Sequence, residues 1–264
     1  MVVLFVLIVL ALLLLYLIAP AFRRHKDRAL LEGKMIAHRG LHSNGIPENS
    51  LAAFQLAVER GHAIELDVRI TADNQLIVFH DLELKRMTGV PGQVTRWTLR
   101  DLKKLRLLGT EEAIPTVDEM LALVDGKVPL LIEIKNDSAA DVGRLEPLLM
   151  EKLAQYQGDF ILESFEPQVL IWLRRNAPQY IRGQLGYYSK NDPKMTNYYK
   201  YLLFNPLVKP DFIAFHIGSI DHKLRLACKK KDIPLVGWTV RTQDDLKRAR
   251  QLCDGIIYEK VDVE

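Results

Sequence analysis

Residues 62–81, HAIELDVRITADNQLIVFHD, contain two apolar runs joined by only four residues, TADN. The runs are rich in aliphatic and β-branched residues, which predicts strands at 62–69 and 75–80. A parallel connection needs a dozen or more residues, so a link this short excludes a parallel pair. The stretch therefore predicts an antiparallel hairpin that carries His80 back toward the acidic pair of the first run.

Outward from this hairpin, strand-like runs alternate with amphipathic segments along the chain. Further strands are predicted at 35–38, 129–134, 159–164, 181–187, 211–216, 234–240 and 255–258. Helices are predicted at 50–60, 116–124, 141–156, 167–176, 221–231 and 243–252. With one strand assigned to the hairpin, this alternation predicts an α/β fold, a TIM (β/α)₈ barrel with eight parallel strands. An open doubly wound sheet is the alternative, but no glycine-rich turn follows the first strand.

The 264 residues divide by composition into an apolar segment, a basic stalk and a barrel. Residues 1–22 carry no charge, and as a helix they would span about 33 Å, enough for one transmembrane helix. A cleaved signal peptide is the alternative, but the positively charged start of such a peptide is missing. Residues 23–34 form the juxtamembrane stalk, and 35–264 the barrel. Turn signals predict a small cap insertion at 82–115.

The net charge of +3 belongs to the stalk, because the barrel holds equal numbers of acidic and basic residues. A neutral barrel lacks the basic surplus that binding to nucleic acid requires, so that class of partner is excluded. The Lys and Arg excess follows the apolar segment, which predicts a cytoplasmic catalytic domain. The same residues could contact anionic membrane lipid.

Ionisable side chains follow several apolar runs at the point where each strand ends. The first three groups are His38-Arg39-Gly40, Glu65-Leu66-Asp67 and His80-Asp81. Glu65 and Asp67 lie two residues apart on a strand, so both point to the same side and can hold one cation. Two imidazoles supply an acid and a base near neutral pH. This combination predicts an enzyme.

Eight short runs in a fixed order are similar to one known family. They are His38-Arg39-Gly40, Pro47-Glu48-Asn49-Ser50, Glu65-Leu66-Asp67, His80-Asp81, Leu131-Ile132-Glu133-Ile134-Lys135, Glu163-Ser164-Phe165, Trp238-Thr239-Val240 and Asp254-Gly255-Ile256-Ile257. Over residues 35–260 the chain resembles the glycerophosphodiester phosphodiesterase family, in a membrane-anchored form. The resemblance implies a TIM-like barrel and metal-dependent cleavage of a phosphodiester between glycerol and an alcohol.

The resemblance also implies roles for individual residues. The implied set is Glu65, Asp67 and Glu133 as ligands of one Mg²⁺ or Ca²⁺, His38 and His80 as general base and acid, Arg39 and Lys135 as phosphate-binding groups, and Trp238 as a wall of the substrate pocket. Two alternatives stay open, in which Glu133 is only an ion-pair partner of Lys135 and Trp238 only packs in the barrel. His42, His62, His216 and His222 are interpreted as structural.

Three functions are compatible with the sequence. Hydrolysis of soluble glycerophosphodiesters is the main prediction, and a lysophospholipase D-type reaction on membrane lysolipids is the alternative. A catalytically inactive, membrane-tethered binding module is the rival from another class. The segment 187–212, rich in Tyr and Lys, is typical of either a bilayer interface or a long barrel loop.

Two positions depart from the family pattern. Arg241 stands where the family usually has Asn after Trp-Thr-Val, and Glu259 follows Tyr258 where Thr-Asp is usual. Neither residue is expected to contact the metal ligands or the acid–base pair. The departures therefore leave the leaving-group preference open, while activity is expected to be retained.

Overall fold

The computed structural model describes residues 25–136, 138–188 and 205–263. The predicted transmembrane helix at 1–22 and most of the Tyr- and Lys-rich segment lie outside these ranges. Within them, every helix is too short or too polar to span a bilayer.

The strands and helices of the described residues follow the predicted alternation. The strands are β1 (Met35–His38), β2 (Ala63–Ile70), β3 (Leu76–Val78), β4 (Leu130–Ile134), β5 (Phe160–Ser164), β6 (Arg182–Gly186), β7 (Phe212–His216), β8 (Leu235–Val240) and β9 (Gly255–Tyr258). The α-helices are α1 (Leu51–Glu59), α2 (Lys85–Thr88), α3 (Leu99–Leu102), α4 (Val117–Val124), α5 (Leu145–Leu153), α6 (Pro167–Asn176), α7 (Asn205–Val208), α8 (His222–Lys230) and α9 (Gln243–Leu252). Short 3₁₀ segments occur at His25–Leu30, Val94–Arg96, Leu107–Gly109, Ala139–Asp141 and Ile217–Ser219.

Eight of these strands form a closed parallel barrel, which confirms the predicted fold class. The sheet runs from β1 through β9, β8, β7, β6, β5 and β4 to β2, and β1 also pairs with β2 in parallel. Each long helix covers the outside of the ring. Closure leaves no free edge in the ring of parallel strands.

The ninth strand, β3, is the return arm of the hairpin and pairs with β2 in the antiparallel direction. One edge of β2 is taken by β4. The other edge is shared, because β1 pairs along it up to Glu65 and β3 from Val68 onward. The chain that follows β3 therefore continues along this edge of β2 toward the last residue of β1.

Alternating side chains place the polar residues inside the barrel. On β2, Ile64, Leu66 and Val68 point outward into the core that the barrel shares with its helices. The inward positions on neighbouring strands begin with apolar residues, such as Ile36 and Leu131, that form a separate central core. Two residues further along each strand, the period of two brings polar side chains to the same lumen.

The described chain enters the barrel from the end opposite to these polar residues. Leu31 is 2% exposed and packs into the central core from below. Gly33 donates a backbone hydrogen bond of 2.7 Å to the Asp254 carbonyl, and Arg28 pairs with Asp232 in the loop before β8. The residues immediately before β1 thus close the lower end of the barrel.

The segment between β3 and α4 forms the small cap. Its two α-helices have only four residues each, and they pack around a separate apolar cluster that includes Phe79, Leu84 and Met87. Sequence periodicity could not resolve such short helices. The helix predicted at 141–156 is shorter, since Gly143 has a φ of +100° and α5 begins only at Leu145.

Candidate active site

Three buried carboxylates meet at the upper end of the barrel lumen. Glu65 and Asp67 come from β2, and Glu133 lies directly opposite Asp67 on β4. Their oxygens approach within 4.8 Å of one another. Asn49 donates a 2.8 Å hydrogen bond to Asp67 Oδ2, while its neighbour Ser50 caps α1. Asn49 therefore orients a carboxylate, and the capping role belongs to Ser50.

Burial and mutual repulsion perturb the ionisation of this group. Burial, with the charges of Asp67 and Glu133, raises the pKa of Glu65 well above its ordinary value. Burial also raises the pKa of Glu133 to about 7, although Lys135 opposes the shift. For Asp67, burial is outweighed by Lys135, His80 and Arg39, which hold the pKa well below its usual range.

The donor set fits a hard divalent cation. All three groups offer oxygen ligands, which Mg²⁺ and Ca²⁺ prefer over soft metals. Three carboxyl groups this close and this buried repel one another when ionised, and a cation would remove that penalty. The structure thus brings together Glu65, Asp67 and Glu133, the set that the family resemblance implies as metal ligands.

Two basic side chains flank the carboxylates. Lys135 Nζ lies 2.8 Å from Glu133 Oε1 and 3.2 Å from Asp67 Oδ1. Arg39 Nε lies 3.3 Å from Asp67 Oδ2, and Arg39 Nη1 donates to Glu48. Glu133 thus pairs with Lys135 and also faces the other two acids. Its position is compatible with both interpretations, a metal ligand and an ion-pair partner of Lys135.

The Arg39 backbone makes a tight left-handed loop at the end of β1. Arg39 and Gly40 have φ values of +56° and +79°, and a Cβ on Gly40 would lie 2.9 Å from the Ala53 backbone. Glycine is needed because the loop rests directly on α1. The loop aims the Arg39 amide at Glu65 Oε2, 3.0 Å away.

The two predicted catalytic histidines come from the end of β1 and from the chain after β3, the two strands that share one edge of β2. His38 Nε2 is 3.9 Å from Glu65 Oε2. Phe79 donates its backbone N–H to the Asp67 backbone carbonyl, and Arg69 donates to the His80 carbonyl, so the hairpin brings His80 to the site. Burial lowers the pKa of both histidines, to about 4 for His80.

An aromatic wall continues from the basic groups toward the rim. The Phe165 ring lies 5.9 Å from Lys135 Nζ and packs edge-on against Trp238 at 5.5 Å. Tyr187 packs edge-on against Phe165 at 5.9 Å, and His216 packs against Trp238. The buried Trp238 Nε1 has no hydrogen-bond partner among the described residues.

The expectation that neither Arg241 nor Glu259 contacts the acid–base pair is wrong for Glu259, and Arg241 contacts Glu259 in turn. Glu259 Oε2 lies 2.7 Å from His38 Nδ1, and Arg241 Nε donates to Glu259 Oε1 at 2.5 Å. His42 Nε2 is 3.1 Å from the same Oε2 atom. The period-two alternation along β9 could have predicted that Glu259 faces the lumen, because Ile257 does and Glu259 follows it by two.

Sequence reasoning also missed two residues that support the site. Glu163 lies opposite Glu133 on β5, 1% exposed. Burial and the Glu133 charge raise its pKa well above the ordinary value, which favours a neutral carboxyl. On the rim, Arg86 donates to both Asp81 and Glu48. It thereby links the partner of His80 to the partner of Arg39.

Cation binding is expected to release protons near neutral pH. Because Glu65 and Glu133 have raised pKa values, with Glu133 at about 7, each holds a proton that a cation must displace. Affinity for Ca²⁺ should therefore rise from about pH 6 to about pH 8, while the protons released per ion decrease. Calorimetry in buffers of different ionisation enthalpy measures both quantities. A pH-independent affinity without proton release would contradict this charge arrangement.

Comparison with known proteins agrees with the geometry. Residues 38–263 match the glycerophosphoryl diester phosphodiesterase family. A glycerophosphodiester phosphodiesterase of Caldanaerobacter subterraneus subsp. tengcongensis is 34% identical over 248 residues, covering 85% of this chain and 93% of the relative. The human glycerophosphodiester phosphodiesterase 1 is 26% identical over 80% of this chain and 72% of its own length.

Solved structures share the fold. An Oleispira antarctica phosphodiesterase, in complex with the product sn-glycerol-3-phosphate, has a TM-score of 0.75 at 22% identity and covers 88% of this chain and 94% of its own. A Thermotoga maritima glycerophosphodiester phosphodiesterase has a TM-score of 0.69 at 25% identity, covering 85% of this chain and 93% of its own. The chain belongs to the glycerophosphoryl diester phosphodiesterase family and is a phosphoric diester hydrolase.

Proposed function

We propose that this enzyme cleaves glycerophosphodiesters to a glycerol phosphate and an alcohol, with His38 as general base and His80 as general acid. The observation that carries the proposal is the convergence of three carboxylates, two cationic side chains and two imidazoles on one buried site. The Oleispira antarctica phosphodiesterase, whose structure contains sn-glycerol-3-phosphate, supports a glycerol phosphate as the product.

Arg39 and Lys135 bind the phosphate in this proposal. Each already lies within ion-pair distance of Asp67, so a phosphate placed beside that carboxylate would contact both cations. The planar fork of Arg39 can bond two phosphate oxygens, while Lys135 acts as a compact charge. The two groups hold the diester and stabilise the negative charge that grows on its oxygens.

Glu65, Asp67 and Glu133 would hold the Mg²⁺ or Ca²⁺ ion. When bound, the ion supplies positive charge to the phosphate oxygens during cleavage. The carboxylates position that charge beside Arg39, whose amide also donates to Glu65.

The histidines divide the proton transfers. His38 Nε2 faces the carboxylates and takes a proton from the nucleophile, either water or the substrate's 2-hydroxyl. His80 gives a proton to the leaving alkoxide. In the free protein burial lowers the pKa of His80 to about 4. An anionic diester offsets the nearby charges of Lys135 and Arg39, which favours the protonated form.

A lysolipid diester is the second candidate substrate. The wall formed by Phe165, Trp238 and Tyr187 offers an apolar surface next to the phosphate-binding groups. An acyl chain could lie along it, as could the alcohol of a soluble diester. The wall therefore supports a role in recognising the alcohol or the chain.

Membrane attachment through residues 1–22 belongs to the same proposal. The absence of charge in that segment and the basic residues after it support a single-pass protein with a cytoplasmic catalytic domain. A truncation for comparison should begin at residue 25, because Leu31 is part of the barrel core.

The decisive experiment is a substrate panel with and without chelator. We expect the full chain to turn over glycerophosphocholine in Mg²⁺ or Ca²⁺ and to lose that activity in excess chelator. The chain starting at residue 25 should keep soluble turnover, and lysophosphatidylcholine in vesicles measures the second candidate. Full activity in excess chelator, or no turnover of any diester with either ion, would overturn the proposal.

A further inference from the structure

We infer that Glu259 and Arg241 form a positioning pair that sets the tautomer and direction of His38, an inference that rests on the proposed role of His38 as base. Glu259 Oε2 lies 2.7 Å from His38 Nδ1, and both side chains are about nine-tenths buried. Arg241 Nε donates to the other oxygen, Oε1, at 2.5 Å. One carboxylate thus connects Arg241 to His38.

The ionisation of Glu259 determines which His38 nitrogen carries the proton. Burial opposes ionisation, but hydrogen bonds from His38, His42 and Arg241 outweigh it and lower the pKa of Glu259 well below its ordinary value. An ionised carboxylate only accepts hydrogen bonds, so His38 Nδ1 must be the donor. A neutral His38 then has its lone pair on Nε2, the atom that faces Glu65 at 3.9 Å. A general base needs its lone pair on that side.

Arg241 fixes Glu259 in turn. The pairing of β8 with β9 places Val240 beside Tyr258, and the Glu259 N–H donates 3.0 Å to the Val240 carbonyl. The residues after these positions, Arg241 and Glu259, are therefore neighbours. With Oε1 held by the guanidinium, Oε2 keeps its direction toward His38. The two departures from the family pattern act as one unit.

A metal ion at this place is the competing explanation. His38, His42 and Glu259 are close enough to form a possible ligand group. However, the 2.7 Å separation of His38 Nδ1 and Glu259 Oε2 is an ordinary hydrogen-bond distance. The Arg241 guanidinium already neutralises the carboxylate, which disfavours a second cation.

The primary test is the turnover of Glu259→Gln. We expect kcat to fall about 10- to 100-fold, the range seen when the carboxylate partner of a metal-bound histidine is removed. KM should change much less, because Arg39 and Lys135 keep their positions. Arg225→Ala is the matched control. It breaks an Arg–carboxylate pair with Asp254 at the other end of β9, so it should change thermal stability but not kcat.

Three further variants separate positioning from a structural role. In a His38→Ala background, Glu259→Gln should cause no additional loss, because the pair acts through His38. Arg241→Ala should lower kcat less than Glu259→Gln does, since Arg241 is half-exposed, and Arg241→Lys should restore part of that loss. An equal additional loss in the His38→Ala background would overturn the inference.

A readout independent of activity distinguishes this inference from the proposed function. Nitrogen chemical shifts of His38, measured by NMR at about pH 8, should show Nδ1 protonated in the wild type. In Glu259→Gln the two tautomers should mix. A wild type without activity but with this tautomer would sink the proposed function and leave the positioning pair standing. An unchanged tautomer and kcat in Glu259→Gln would sink the pair alone.

Discussion

Replacing His38 or His80 with alanine is expected to lower kcat by about 10²- to 10⁴-fold, the usual contribution of a positioned acid or base. His38 presents Nε2 to the carboxylates. His80 is held by the Arg69 hydrogen bond to its carbonyl and by Asp81, which lies 2.6 Å from Nδ1. For His80→Ala the loss should be largest on diesters with poor leaving groups. A poor leaving group depends most on the proton that His80 supplies.

His222→Ala is the control for these variants, since His222 begins α8 on the exposed surface. Its turnover should match the wild type. Steady-state kinetics on glycerophosphocholine and on a diester with an activated leaving group measure both effects. Near-wild-type kcat in His80→Ala on the poor leaving group would remove His80 from the acid role.

Glu65→Gln is expected to weaken cation binding and turnover by at least about 10²-fold, because even partners that only orient a metal ligand contribute 10- to 100-fold. Glutamine has the shape of the protonated carboxyl, the form that burial and the charges of Asp67 and Glu133 favour for Glu65 in the free protein. The metal-free variant should therefore melt no lower than the wild type. The Arg39 amide can still donate to the glutamine oxygen.

Calorimetric titration with Ca²⁺ and thermal melts with and without the ion measure these effects. Glu59→Gln provides the control, since Glu59 lies exposed at the end of α1. If Ca²⁺ no longer raises the melting temperature of Glu65→Gln but still raises that of Glu59→Gln, the result would support Glu65 as a metal ligand. Wild-type affinity in Glu65→Gln would exclude Glu65 as a ligand.

Local sequence was sufficient for the parts of the site that depend on strand ends. Glu65 and Asp67 sit on one strand, so their common direction follows from the period of two. The four-residue link after β2 was enough to predict the hairpin and hence the approach of His80. Each of these inferences needed only neighbouring residues.

Contacts that depend on barrel closure could not be read in the same way. Glu259 and His38 are 221 residues apart, and only the pairing of β9 with β1 brings them together. The contacts of Arg86 also join separate parts of the chain, because one acceptor belongs to the cap and the other to the loop after β1. Departures from a family pattern looked independent in the sequence, whereas Arg241 and Glu259 are in direct contact.

The entry of the chain beneath Leu31 has a geometric consequence for any bilayer attachment through residues 1–22. The described residues just before β1 and the opening of the lumen lie at opposite poles of the barrel axis. An enzyme tethered at the lower pole would face the aqueous phase and meet substrate by three-dimensional diffusion. Lipid substrates would have to leave the bilayer first, and the tether would chiefly determine where the glycerol phosphate is released.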